Sequence, residues 1–249
     1  MQTGNHPNSS GSRFFRPVCL TTFCMFVLPA AWAGRPLGTD DTGTVGVRTC
    51  QIESWVNGGP GAADSLVVAP GCGLAEGLEL GFDYTHPRQR DTLRAAAGAA
   101  LKWAPSAWAQ DTRVGRLSFG LKFNLAAERP SDAGWRTSQT NLLALMTLEP
   151  GDDWAVHANL GLARENLGGE TAGLLNLALV WTPQPRWLLF AETQTNNRQS
   201  LFGATLNSAG VRWWLVKDRL GLDLTASRSI GAGTNTQWSA GFGWYGLGW

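Results

Sequence analysis

The stretch RLSFGLKFNL, residues 116–125, sets Leu117, Phe119, Leu121, Phe123 and Leu125 in alternation with Arg116, Ser118, Gly120, Lys122 and Asn124. Successive side chains of a β-strand point to opposite faces, so the stretch reads as a strand with one apolar and one polar face. A helix would instead gather its apolar residues at every third or fourth position.

The same period of two recurs on either side. In LELGFDYT (residues 78–85) Leu78, Leu80, Phe82 and Tyr84 alternate with Glu79, Gly81, Asp83 and Thr85. In TLRAAAGAALKW (92–103) an apolar set ending in Leu101 and Trp103 opposes Arg94, Gly98 and Lys102. DWAVHANLGLA (153–163) places Trp154, Val156, Ala158, Leu160 and Leu162 opposite His157, Asn159 and Gly161. LLNLALVW, RWLLFAETQ, GVRWWLV and RLGLDLTAS continue the pattern. The whole series makes about twelve strands of roughly ten residues, an even number and the length a tilted strand needs to cross a bilayer.

The connections separate a membrane barrel from a soluble sandwich, whose buried faces would alternate too. From the middle of the chain onward EPGDD, TPQPR and VKDR are short, whereas ARENLGGETAG, TQTNNRQSLFGAT and SRSIGAGTNTQ are long and polar. Short turns on one side and longer loops on the other are the habit of outer-membrane barrels. Trp103, Trp154, Trp181, Trp187, Trp213 and Trp244 fall at strand ends beside the short turns or the C-terminus, as a girdle at one membrane interface requires. Trp55 and Tyr84 are expected at the opposite rim.

Composition agrees. Of 249 residues only 16% are charged and the net charge is +1, which excludes the strong basic excess of a nucleic-acid-binding surface. Arg13 and Arg16 precede PVCLTTFCMFVLPAAWA, a short apolar run that ends in the small-x-small triplet Ala31-Trp32-Ala33. This is the form of a secretory signal peptide cleaved after Ala33. The expected organisation is a signal peptide over residues 1–33, a periplasmic N-terminal segment over 34–46 and a barrel over 47–249. Outer-membrane lipids and the barrel assembly machinery are the implied partners.

Cleavage removes Cys19 and Cys24 and leaves Cys50 and Cys72, whose midpoint falls within the turn NGGPGAAD. A hairpin about that turn sets the two opposite each other, at ~4.5 Å between Cα atoms in a non-hydrogen-bonded pair, and the expectation is a disulfide.

With the apolar faces outward, the lumen is lined by Glu53, Glu79, Asp83, Arg94, Lys102, Arg116, Lys122, Glu192, Arg212 and Asp223, together with His157 and Asn159. Five acids face five bases. Such a set suits salt-bridged packing that narrows the bore better than it suits a ring of one sign. His86, in THPRQRD, is placed in an external loop. Outer-membrane phospholipases carry a nucleophilic Ser two residues after the His, on the outer wall. Here that position is Asn159 and His157 faces inward, so no enzyme is expected. No metal-ligand spacing, phosphate loop or cofactor motif is present.

The segment RPLGTDDTGTVGVRTCQIESW, residues 35–55, resembles the opening of a family of outer-membrane barrels labelled transporters or MetA-pathway of phenol degradation proteins. Arg35, Pro36, Thr39, Asp40, Asp41, Gly43, Thr44 and Val45 carry the resemblance. It implies passage of small, hydrophobic or aromatic, compounds. Read from its residues alone, GTDDTG is a periplasmic turn in which Asp40 and Asp41 bond to their own backbone; a gate at the periplasmic mouth is the functional alternative.

The chain ends QWSAGFGWYGLGW, which reads as the closing strand. Trp238, Phe242 and Trp244 are set to face lipid and the intervening glycines inward, with a bulge or strand exit at Trp244-Tyr245. The terminal Trp249 resembles the C-terminal aromatic by which such barrels are recognised for insertion. The sequence thus predicts an antiparallel up-and-down transmembrane β-barrel acting as a narrow channel for small molecules. A structural barrel that binds through its loops, with Asn196, Asn197 and Arg198 as contacts, is the alternative.

Overall fold

The computed structural model describes residues 36–60, 64–88, 93–198, 205–231 and 235–249. The expected signal peptide and its cleavage site lie outside these residues. The strands are β1 (Thr49–Gly58), β2 (Ser65–Ala75), β3 (Leu78–Pro87), β4 (Leu93–Trp103), β5 (Gln110–Thr112), β6 (Gly115–Pro130), β7 (Arg136–Gly151), β8 (Trp154–Glu165), β9 (Thr171–Gln184), β10 (Trp187–Asn196), β11 (Thr205–Val216), β12 (Leu220–Ile230) and β13 (Thr236–Gly248).

All but the three-residue β5 form the wall. Each wall strand pairs antiparallel with its chain neighbours, β4 pairs directly with β6, and β13 returns to pair with β1. The result is a closed antiparallel barrel of twelve strands. Closure leaves no wall strand with an unpaired edge, which is the condition for a sheet surrounded by an apolar medium.

The alternation read from the sequence sets the two faces. Phe119, Leu121, Phe123 and Leu125 are exposed on the outside, as are Leu160, Leu162, Leu175, Leu177, Leu179, Leu222 and Leu224. An apolar exterior of this extent inverts the pattern of a soluble domain. Inside, Glu53, Lys102, His157, Asn159, Glu192, Arg212 and Asp223 are all buried.

Both termini of the wall and the turns at 76–77, 152–153, 185–186 and 217–219 share one rim, here the terminal rim. Its tryptophans make a girdle. Trp154 stacks on Trp181 across the β8–β9 ladder with centroids 5.5 Å apart, and Trp187 on Trp213 across β10–β11 at 6.0 Å. Trp103, Trp154, Trp181, Trp187, Trp213 and Trp244 are all exposed.

One connection at this rim departs from the short-turn pattern. Residues 104–114 carry a 3-10 turn, Ser106–Trp108, and β5. Trp108 packs against Trp103 at 4.5 Å, and the loop is tied to the β2–β3 turn by Ala104 N–H to Gly77 O and Ser106 N–H to Glu76 Oε1.

One aromatic expectation is corrected by the wall's geometry. Tyr84 is exposed on the outside, but Trp55 shares the inward face of β1 with Glu53 and lines a cavity in the bore. Ile52 and Val56 take the outward positions of that strand, so alternation leaves Trp55 no other face. The closing strand keeps its alternation through both aromatics: Trp244 is outward, and Tyr245 points inward to bond Glu53. The expected bulge follows directly on Trp244: Ile52 pairs with Trp244 but Cys50 with Leu247, so Tyr245 and Gly246 stand against Gln51 alone, and Gly246 takes φ of 70°. His86 lies within β3, opposite Leu66, and not in a loop.

At the girdle's level the seam between first and last strands is held from inside. The Arg212 guanidinium on β11 donates to both oxygens of Asp223 on β12, at 2.6 and 2.8 Å, and stands 3.7 Å from Glu53 on β1. Its face lies 5.0 Å from the Trp214 ring and 5.2 Å from that of Tyr245. Gly221 and Gly243 make room, since a Cβ at either would press on the Arg212 or Tyr245 side chain. Nearby, Cys50 and Cys72 are direct cross-strand partners and form a disulfide, with Cα atoms 4.1 Å apart.

These features give two measurable outcomes. Alkylation of the unfolded chain spares Cys50 and Cys72 until a reductant is added, read by mass. Replacing Arg212 with Leu leaves the buried Asp223 carboxylate without its partner, at a cost of about 3–5 kcal/mol. A lowered urea midpoint, followed by the shift in gel mobility between unboiled and boiled samples, records that loss.

Candidate functional site

The segment 36–46, expected as a periplasmic turn outside the wall, runs within the bore. The sequence explains why it stays there. It is polar and rich in turn-forming residues, so it builds no strand of its own, and its main-chain groups need partners that the inward faces of four strands supply.

Leu37 packs against Val180, Leu188 and Phe190, an apolar patch on the inner faces of β9 and β10. Next to it the Glu192 carboxylate accepts from Gly38 N–H at 3.0 and 3.1 Å and from Thr39 N–H at 2.8 Å. The Gln194 side chain packs close over Gly38, so that a Cβ there would have to displace its amide. Asn159 on β8 then pairs with the main chain of Asp40 in both directions. Its Oδ1 accepts the Asp40 N–H at 2.9 Å, and its Nδ2 donates to the Asp40 carbonyl at 2.7 Å.

The side chains of Asp40 and Asp41 cross to the other side of the bore. Lys102 and Lys122 are direct partners on β4 and β6, so their ammonium groups stand side by side. Like charges placed opposite one another repel, and the segment supplies the counter-charge. Lys122 donates to Asp40 at 2.7 and 2.9 Å, and Lys102 donates to Asp41 at 3.1 Å with Asp40 at 3.5 Å.

The chain then descends. Asp41 Oδ1 accepts the Gly43 N–H, the local bond read from the sequence, while Thr42 N–H donates to Thr147 Oγ1 and Val45 N–H to Glu79. Val47 bridges to Gly73 on β2, where a Cβ would lie 2.2 Å from the Val45 carbonyl. From there the chain joins β1 at the terminal rim. The segment is thus a re-entrant loop that reaches to mid-height and returns.

It divides the bore. A cavity of about 480 Å³ lies between the segment and the far rim, lined by Trp55, Asn57, Asp83, Thr85, Lys122 and Asn124 among others. A second, of about 780 Å³, opens toward the terminal rim, with Arg116, Glu149, Asp153, His157 and Leu188 in its walls. Leu37 and Thr39 border both.

Nine of the ten charged residues read from the sequence therefore fall into three groups, and Arg94 lies outside them. Lys102, Lys122, Glu79 and Glu192, with Asn159, hold the segment; Glu53, Arg212 and Asp223 hold the seam. Asp83 and Arg116 line the two cavities, Arg116 opposite Glu149. Arg94 is exposed beside a register shift at the far end of β4. His157 faces inward, its Nδ1 3.0 Å from Thr147 Oγ1. Of the expected loop contacts, Asn196 ends β10 and accepts from Arg198 N–H, Arg198 pairs with Glu170 in the β8–β9 connection, and Asn197 accepts from Gly173 N–H near the start of β9. Among the described residues no group of three or more His, Cys, Asp or Glu is placed to hold a metal ion.

Sequence reading missed the partners on the segment side. Asp40 and Asp41 lie 82 and 61 residues from the lysines they neutralise. The usable signal was the pair of lysines brought into register by the β4–β6 hairpin, together with two adjacent acids in a stretch that forms no strand.

No protein-family model matches the sequence, and no curated protein sequence matches it. Solved structures do resemble it. The KdgM porin superposes with a TM-score of 0.55 at 10% identity, over 78% of this chain and 98% of that one. Outer membrane phospholipase A from Escherichia coli gives 0.55 at 11% identity, over 80% and 97%. The calcium-bound phospholipase dimer from Salmonella typhi gives 0.53 at 11%, over 86% and 94%. At these identities the likeness is one of fold: this chain has the architecture of bacterial outer-membrane β-barrels, which in other proteins serves both a porin and an enzyme.

Proposed function

We propose that the protein is a gated outer-membrane channel for small molecules, with residues 36–46 as the gate and the terminal rim on the periplasmic side. The observation that carries this reading is the pair of cavities meeting at one thin, polar segment. Were the bore meant to stay solid, side chains of the wall would fill it, as they do in smaller barrels. Here the obstruction is a loop bonded to the wall by groups that can be exchanged.

The energetics fit a gate. Ordering a segment costs about 1–2 kcal/mol per residue. Charge-assisted hydrogen bonds such as those of Glu192 and the two lysines return about 1.5–3 kcal/mol each, and neutral ones about 1. The two sides are similar in size, so the segment is held without being locked. Thr39 Oγ1, buried with no hydrogen-bond partner among the described residues, adds to the cost of the closed state.

An enzymatic reading has less support. His157 and Asn159, the residues nearest to a catalytic pair, face the bore, and Asn159 is spent on the segment.

Planar-bilayer recording tests the channel. The wild-type chain should conduct in brief, rare openings. Asp40→Asn weakens the bonds to Lys122 and should raise the open fraction by about tenfold, the equivalent of about 1.4 kcal/mol. Silence of both wild type and Asp40→Asn, in bilayers and in solute-swelling assays, would remove the channel and leave the structural barrel. Deleting Trp249 should lower the amount reaching the outer membrane, measured by heat-modifiable bands in membrane fractions. Wild-type levels of that variant would show that the terminal aromatic is no assembly signal.

A further inference from the structure

The bore wall around residues 38–45 is built as a receptor for peptide. Three acceptors take main-chain N–H groups: Glu192 those of Gly38 and Thr39, Thr147 that of Thr42, and Glu79 that of Val45. Asn159 engages one residue's N–H and carbonyl together, a pairing that a main chain offers and a hydrocarbon does not. Two cations receive the neighbouring carboxylates, Lys122 that of Asp40 and Lys102 that of Asp41.

From this complementarity we infer that the closed bore is a binding site occupied by its own chain, and that the solute it admits is a short acidic peptide replacing the segment bond for bond. The inference rests on the channel reading and names its substrate class.

Charge on the wall separates this class from its nearest rival, a plain dicarboxylate. When the segment leaves, Lys102 and Lys122 are uncovered, but so are Glu192 and Glu79, and Asp83 lines the same far-side cavity. The vacated wall has no net positive field. A ligand that brings only negative charge satisfies the lysines and leaves Glu192, a buried carboxylate, without donors. A peptide brings carboxylates and N–H groups together, on the spacing that the wall already accommodates. A hydrophobic or aromatic solute would satisfy neither.

Flux into proteoliposomes bearing the full chain tests the proposal, with four probes: acetyl-Asp-Asp-amide, acetyl-Asn-Asn-amide, succinate and a neutral pentose. In the wild type the acidic dipeptide should enter at least about fivefold faster than the neutral dipeptide and succinate, since charged hydrogen bonds are roughly twice as strong as neutral ones. Lys102→Met with Lys122→Met should abolish the preference for the acidic over the neutral dipeptide. Asn159→Ala, which leaves both lysines in place, should slow both dipeptides relative to the pentose. Heat-modifiable mobility verifies that each variant is folded.

Equal rates for the acidic and neutral dipeptides in the wild type, or for the acidic dipeptide and succinate, would overturn the proposal while leaving the channel intact. Failure of every probe, the pentose included, to enter through wild type or Asp40→Asn would overturn the channel reading and this one with it.

Discussion

Two ammonium groups set side by side on neighbouring strands cannot remain inside a closed wall without counter-charge. Lys102 and Lys122 are fixed in that relation by the register of β4 and β6; Glu79 stands opposite Lys102 across β3 and β4, but among the described residues the carboxylates within ion-pair distance of the two lysines are those of Asp40 and Asp41. The N-terminal segment supplies two carboxylates, and its path follows from that requirement. Asp40 and Asp41 must reach mid-bore, so the residues before them cross β10 and those after them descend past β7 toward β2. The division of the lumen into two cavities follows from where the lysines stand.

The seam obeys a related rule with different chemistry. Arg212 is bidentate to Asp223 and lies between two aromatic faces, an arrangement suited to a guanidinium, which spreads its charge over a plane. Everything in that cluster comes from the wall itself. The fixed part of the interior thus uses a planar cation with full partners. The segment across the bore is held instead by compact, flexible lysines.

Much of this architecture was legible in the sequence because barrel strands are local objects. The alternation of RLSFGLKFNL, the Cys50–Cys72 hairpin and the row of tryptophans depend on residues a few positions apart or across one turn. Trp55 was misplaced because an aromatic near a strand end suits either an interface or a bore, and only the register with its neighbours decides which. The path of residues 36–46 was not legible for a stronger reason. Its partners are 34 to 154 residues away, on strands that become neighbours only when the sheet closes. GTDDTG has the composition of an exposed turn, and composition does not say that a turn is surrounded.

The segment is covalently joined to the terminal end of β1 through residues 46–48, with Val47 bridged to Gly73. The two ends of the crossing are therefore not equivalent: one is fixed to the wall beside the terminal rim, while Gly38 to Asp41 are held at mid-bore by Glu192, Asn159, Lys102 and Lys122. In the gated reading proposed above, residues 46–48 are the hinge.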